Sequence, residues 1–156
     1  MLLYLLRHAE AVPHCSDDIS RRLTEKGRDQ SRRVGEFMAS RGLKPELILS
    51  SPVTRARETA EIVAKKLGND EVTQVPWLAC GMTPETALEE LAAYRRLESV
   101  MIVGHEPDFS SLVTALLGAG SGASFSISKA SLTAIDLSRF VFRGGVLKFL
   151  LPVKLM

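Results

Sequence analysis

Two histidines and two arginines in this sequence stand at or just past the ends of apolar runs, where side chains are free to meet a ligand. His8 follows Leu2–Leu6 through Arg7, and His105 follows Val100–Val103 through Gly104. Leu47-Ile48-Leu49 runs into Ser50-Ser51-Pro52, with Arg55 just beyond. Imidazole can act as nucleophile, acid or base near neutral pH. Guanidinium offers a planar fork of donors that matches carboxylate or phosphate oxygens. Arg55 also falls in the first turn of a predicted helix, where free N–H groups and the helix dipole attract anions. Arg57, two residues on, points to another face. Taken singly, each residue has an ordinary explanation, a capping histidine or a solvated surface charge. Brought to one rim, two Arg, two His and a helix N-terminus describe a site for a dianion such as phosphate.

The elements that must bring them together alternate along the chain. Leu2 to Leu6 and Val100 to Val103 are continuous apolar runs, as expected of strands covered on both faces. A helix is predicted from Leu23 to Gly42, with Thr24 as N-cap and Gly42 as stop. After the short strand Leu47–Leu49, a second helix runs from Pro52 to about Leu67, with Ser51 as cap and Pro52 at the first helical position. Val72 to Leu78 reads as an outer strand, because Pro76 removes a donor. Thr83-Pro84 opens a helix to about Leu97, and another spans Asp108 to Leu117. Leu132–Leu137 and Val146–Leu151 are late strands, the latter entered through a hairpin-type turn at Gly144-Gly145. Strands alternating with helices predict one α/β domain over residues 1–156, a mainly parallel central sheet with helices on both faces. Ligands bind such sheets outside the carboxyl ends of the strands, where strand order reverses. That rule gathers Arg7, His8, Arg55 and His105 from distant parts of the chain.

Four segments carry a resemblance to a known family. Leu6-Arg7-His8-Ala9-Glu10 resembles the Arg-His-Gly/Ala signature of the histidine phosphatase superfamily, which includes cofactor-dependent phosphoglycerate mutases. Leu23-Thr24-Glu25-Lys26-Gly27 resembles its L-T-x-x-G segment, and residues 50–60 match its S-S-P-x-x-R-A-x-x-T-A segment closely. Val103-Gly104-His105 looks like its second-histidine motif, and all four keep the family order. Within the superfamily the short chain most resembles the SixA-type phosphohistidine phosphatases, which carry R-x-L-T-x-x-G after the first motif, here Arg21 to Gly27.

The resemblance implies a phosphoglycerate-mutase-like fold in a single histidine-phosphatase domain. It implies that His8 is the nucleophile, that Arg7 and Arg55 clamp the phosphoryl oxygens, and that His105 donates a further hydrogen bond. Arg21 and Ser51 are then further substrate contacts. The physics agrees: positioned cations and donors stabilise charge spread over three phosphoryl oxygens, and neighbouring guanidinium groups favour the neutral, nucleophilic imidazole. One departure is informative. Many members place a carboxylate after the third strand to protonate the leaving oxygen, yet Val75 to Met82 contains no Asp or Glu. Glu85, Asp17 and Asp18 are the remaining acid candidates. A phosphoramidate leaves as an imidazole, whose conjugate acid has a pKa of roughly 6.5, so phosphohistidine tolerates this loss far better than a phosphate ester does. The expected substrate is therefore phosphohistidine on a protein, such as a histidine phosphotransfer domain. A small-molecule phosphomonoesterase and a catalytically idle phosphate-binding module are the alternatives.

Composition narrows the field. The 156 residues suit one core, and 46% hydrophobic with 24% charged residues is an ordinary globular mixture. A net charge of +2 is too small to suggest nucleic acid as a partner. The apolar start, Met1 to Leu6, is too short for a membrane span and lacks signal-peptide flanks, so no membrane partner and a cytoplasmic location are expected. Only Cys15 and Cys80 occur, which precludes a disulfide framework. Cys15 to Arg21 fits the C-x5-R spacing of cysteine-based phosphatases. However, it lacks a preceding apolar strand and glycine, and it sets two carboxylates against a dianion. His14, Cys15, Asp17 and Asp18 match no zinc or calcium spacing, so neither metal nor cofactor is expected. Gly118 to Gly122 follows a helix and has no Lys, which reads as a loop.

Overall fold

The computed structural model describes residues 1–13, 17–120 and 124–156. In chain order its elements are β1 (Leu2–Arg7), α1 (Glu25–Ser40), β2 (Leu47–Ser50), α2 (Thr54–Lys66), β3 (Thr73–Gln74), α3 (Pro84–Ala92), β4 (Ser99–Gly104), α4 (Asp108–Leu117), β5 (Leu132–Asp136) and β6 (Val146–Leu151). The six strands form one sheet in the order β3-β2-β4-β1-β5-β6. The first four of that row are parallel; β5 runs antiparallel to β1, and β6 antiparallel to β5.

Alternation along each strand divides the core in two. Tyr4, Leu6, Ile48, Met101 and Val103 face one side, where Val34 and Met38 of α1 and Ala56, Ala60 and Val63 of α2 cover them. Leu3, Leu5, Leu49, Val100 and Ile102 face the other, under Leu91 of α3 and Phe109, Leu112 and Leu116 of α4. Because both faces are apolar, hydrophobicity alone does not fix the register. The hydrogen bonds that continue past the strands do: His8 N–H donates to the Gly104 carbonyl at 3.0 Å, and Ser51 N–H to the Val103 carbonyl at 2.9 Å.

Two glycines permit close approaches that the site needs. A Cβ on Gly27, in the first turn of α1, would overlap the Glu10 carbonyl oxygen. A Cβ on Gly104 would come within 2.9 Å of the Phe109 ring. Gly27 abuts the loop that follows His8 and Gly104 directly precedes His105, so bulk at either position would displace a segment next to one of these histidines.

Several sequence expectations are corrected. Thr24 caps α1 as expected, accepting from Gly27 N–H, and Gly42 follows with a left-handed φ of 67°. Ser51 does not cap α2. The cap position falls to Val53, which makes no side-chain cap bond, while Ser51 Oγ accepts from Val53 N–H at 3.2 Å in a turn ahead of the helix. The expected strand at Val72–Leu78 shrinks to two residues, since Pro76 starts a short 3-10 turn. It does lie at the sheet edge. The helix after Thr83 ends at Ala92 rather than near Leu97. Strands β5 and β6 pair, but the link is residues 137–145, with Arg143 at φ 61°, instead of a two-residue turn at Gly144-Gly145.

Candidate active site

The parallel register sets Arg7 of β1 beside Gly104 of β4, and Ser50 of β2 beside Val103. The residues that follow, His8, His105 and Ser51, therefore emerge at one rim. The rings of His8 and His105 lie 5.3 Å apart. His8 Nδ1 is 2.7 Å from the Ala9 carbonyl oxygen, which can only accept, so Nδ1 carries the proton and Nε2 holds the lone pair. Arg55 Nε donates to that Nε2 at 3.3 Å.

Helix α2 is anchored to the loop after His8 by one hydroxyl. Thr59 Oγ donates to the Arg55 carbonyl at 2.7 Å and accepts from Ala9 N–H at 3.1 Å. A second anchor is Glu58, buried at 5% exposure, which accepts from Leu23 N–H and Arg22 Nε, each at 2.8 Å. Desolvation raises the Glu58 pKa, but the Leu23 amide, Arg22 and Arg28 lower it by more, and the carboxyl stays ionised. These contacts tie the L-T-x-x-G segment to α2.

His105 is held from behind. Its Nε2 lies 2.9 Å from Ser51 Oγ, which already accepts from Val53 N–H. The serine hydroxyl satisfies both rings of contact if it donates to Nε2, which leaves the imidazole proton on Nδ1. Nδ1 is buried and has no partner among the described residues, so it is the ring atom left to donate to a ligand oxygen. Ser51 itself is fully buried; the structure places it against His105 rather than at the mouth, where the sequence reading expected a substrate contact.

Both histidines are neutral. Burial pushes the His8 pKa down from 6.5 to about 3; the bond to Ala9 opposes this, while His105, Arg55 and Arg7 add to it. Burial, then Arg55, brings His105 down to about 4. The His8 imidazole is thus buried and uncharged, with its Nε2 lone pair facing the Arg55 guanidinium, a form that can act as a nucleophile.

Arg7 donates from one terminal nitrogen to the Ile127 carbonyl at 2.7 Å, and its Nε is buried without a partner among the described residues. Desolvation lowers its pKa and nearby Glu106 raises it, with a net decrease. Arg55, only 5% exposed at the side chain, has its terminal nitrogens on Asp18 and Cys80. Arg21 reaches the same corner, with Nε 2.8 Å from Asp18 Oδ1. Desolvation raises the Asp18 pKa, yet Arg55 and Arg21 outweigh it and keep the carboxylate charged.

The remaining acid candidates are accounted for separately. Asp17 Oδ1 accepts from Ile19 N–H. Glu85 lines a different cavity of about 600 Å³, whose walls include none of Arg7, His8, Arg55 or His105. His14 and Cys15 lie outside the described residues, as does part of the Gly118–Gly122 stretch. Among the described residues no group of three or more His, Cys, Asp or Glu side chains is placed to hold a metal ion. No helix among them is long and apolar enough to cross a membrane.

Sequence reasoning did not single out Thr59, Glu58 or Asp108. The first had a readable signal, because a helical Thr four residues after Arg55 can bond back to its carbonyl. Asp108, whose Oδ2 accepts from Gly81 and Met82 N–H at 2.9 and 3.2 Å and so holds the loop beside Cys80, left no such signal.

Comparison with known proteins gives the family and the fold. Residues 3–79 match the model of the histidine phosphatase superfamily, branch 1. An uncharacterized protein of Picosynechococcus is 32% identical over 143 residues, covering 86% of this chain and 84% of its own. Among solved structures, the protein histidine phosphatase SixA complexed with tungstate superposes with a TM-score of 0.88 at 23% identity, over 99% of this chain and 98% of that one. A putative phosphohistidine phosphatase SixA from Agrobacterium tumefaciens gives 0.82 at 27%, over 97% of each chain. The same fold recurs, at 0.78 and 18% identity, in a putative alpha-ribazole-5'-P phosphatase from Escherichia coli, over 98% of this chain and 97% of that one.

The chain belongs to the histidine phosphatase superfamily, with its phosphoglycerate-mutase-like α/β fold. Its place in that group is with the phosphatases, enzymes that release phosphate by hydrolysis.

Proposed function

We propose that this chain hydrolyses phosphohistidine on a protein substrate through a covalent phospho-His8 intermediate. His8 Nε2 forms the new P–N bond as the P–N bond to the substrate imidazole breaks. That imidazole departs with the electron pair and takes a proton. Water then attacks phosphorus, the bond to His8 breaks, and phosphate leaves with the neutral ring restored. Arg7, Arg55 and Nδ1–H of His105 hold the phosphoryl oxygens throughout.

The observation that carries the substrate assignment concerns the carboxyl groups. Asp18 is held ionised by Arg55 and Arg21. Asp108 is committed to two backbone amides. Glu106 turns one oxygen to Ser110 and keeps the other buried without a partner among the described residues, and Glu85 lines another cavity. Asp18, Asp108 and Glu85 are thus engaged away from the role of proton donor, and a departing imidazole has the least need of one. The likeness to SixA-type phosphatases points the same way.

The test is phosphate release from a phosphohistidine-bearing protein and from a phosphoserine peptide, by wild type and His8→Ala, with chelator present. Cleavage of the phosphohistidine alone, abolished in the variant, is the expected result. Equal cleavage of the phosphoserine peptide would refute the assignment in favour of a phosphomonoesterase. Phosphate binding without turnover of either would favour an idle binding module.

A further inference from the structure

Arg55 is the side chain on which the site turns, and none of its nitrogens is idle. Nε donates to His8 Nε2 at 3.3 Å. One terminal nitrogen donates to the Asp18 carbonyl at 2.8 Å and lies 3.2 Å from Asp18 Oδ2. The other points at Cys80 Sγ at 3.6 Å. The second carboxylate oxygen of Asp18 is 2.8 Å from Arg21 Nε. A phosphoryl group arriving at His8 Nε2 therefore meets a clamp already occupied by a negative charge.

Resting on the phosphoryl-site reading above, we propose that Asp18 is a displaceable internal ligand of the phosphoryl clamp, and thereby a specificity-determining residue. It occupies on Arg55 the position a phosphoryl oxygen would take. A bound dianion and the Asp18 carboxylate cannot share that guanidinium without like-charge repulsion, so the carboxylate gives way when phosphate enters.

The surroundings suit such an exchange. The Asp18 side chain is 65% exposed while Arg55 is 5% exposed, so one partner moves into water easily and the other stays. Asp18 opens the short 3-10 turn Asp18–Ser20, none of whose residues is buried. Arg55, by contrast, is fixed through its own carbonyl to Thr59 and so to the nucleophile loop. Motion is thus confined to the Asp18 side.

Displacement acts differently on different ligands. Free phosphate must expel Asp18 with the contacts of four oxygens alone. A phosphorylated protein side chain brings further contacts across the mouth, which offset the same loss. After hydrolysis, the return of Asp18 to Arg55 competes with product phosphate and hastens its release.

The experiment is calorimetric titration of inorganic phosphate into the intact wild-type chain and Asp18→Asn. The pair removed has one exposed member, so its removal should tighten phosphate binding about three- to tenfold. Product inhibition by phosphate should strengthen by the same factor. A second measurement needs no variant: in wild type, phosphate should shift the carboxyl carbon resonance of Asp18. Equal or weaker phosphate binding by a folded Asp18→Asn protein, or an unmoved Asp18 resonance, overturns the proposal while leaving the phosphatase site intact. Phosphate bound by neither protein sinks the phosphoryl site itself, and this proposal with it.

Discussion

Lowering the pH from 7 to 5 should destabilise the folded chain through His8 and His105. The two are buried, at 8% and 2% exposure, and neutral, with pKa values of about 3 and about 4. Unfolding returns both to the free-imidazole value of roughly 6.5. The unfolded chain then binds more protons, so stability is full above that value and falls as pH drops toward the folded values. Between pH 7 and 5, each histidine costs about 2 kcal/mol and the pair about 4 kcal/mol at most. For a chain of this size that is a fall in Tm of about 8–16 °C, less where the folded site relaxes. The carboxylates held low, Glu58 and Asp18 among them, contribute stability that is lost only below about pH 4.3, so the interval from 7 to 5 isolates the histidines. Thermal unfolding should be followed by calorimetry in a phosphate-free buffer, because a bound anion stabilises the folded state by mass action. His105→Asn should reduce the pH-dependent loss by about half. A Tm equal at both pH values, or a fall that neither His8→Asn nor His105→Asn reduces, would refute the reasoning.

Two further outcomes follow from individual contacts. Ser51→Ala removes the hydroxyl that holds His105 Nε2 and leaves Val53 N–H without its acceptor, so kcat/KM should fall about tenfold or more, corresponding to a loss of about 1.5 kcal/mol; an unchanged rate against phosphohistidine would show that Ser51 does not position the ring. Glu58→Ala strands the Leu23 amide and frees Arg22 and Arg28, and should lower stability by about 2–4 kcal/mol in a denaturant titration. A loss under about 0.5 kcal/mol would reduce these bonds to ordinary surface pairing.

The strands that carry the site were legible because buried parallel strands are uninterrupted apolar runs, and Leu2–Leu6 and Val100–Val103 are such runs. Helix α4 was equally plain, bounded by Asp108 and Gly118. What failed had a local cause. Ser51-Pro52 carries the sequence pattern of a helix start, but Ser51 is drawn into the interior by His105, a tertiary contact that no window of sequence contains. Pro76 gave the right position for β3, at the edge, and hid how short it is. Arg7, His8, Arg55 and His105 could be placed at one rim from strand ends alone. The commitment of Arg55 to Asp18, Cys80 and His8 could not, because it depends on how the segment after His8 folds back.

The single oxygen of Thr59 acts as a ruler. It accepts from the amide next to the nucleophile and donates to the carbonyl of the clamp residue, so the spacing of His8 and Arg55 is set by the length of two hydrogen bonds. The pair forms one rigid jaw. A difference in the width of the site between relatives would therefore arise across from this pair, where the exposed turn Asp18–Ser20 meets Arg55. Variation among relatives that alters what the enzyme accepts should gather there, while the jaw keeps the same gauge for every phosphoryl group it meets.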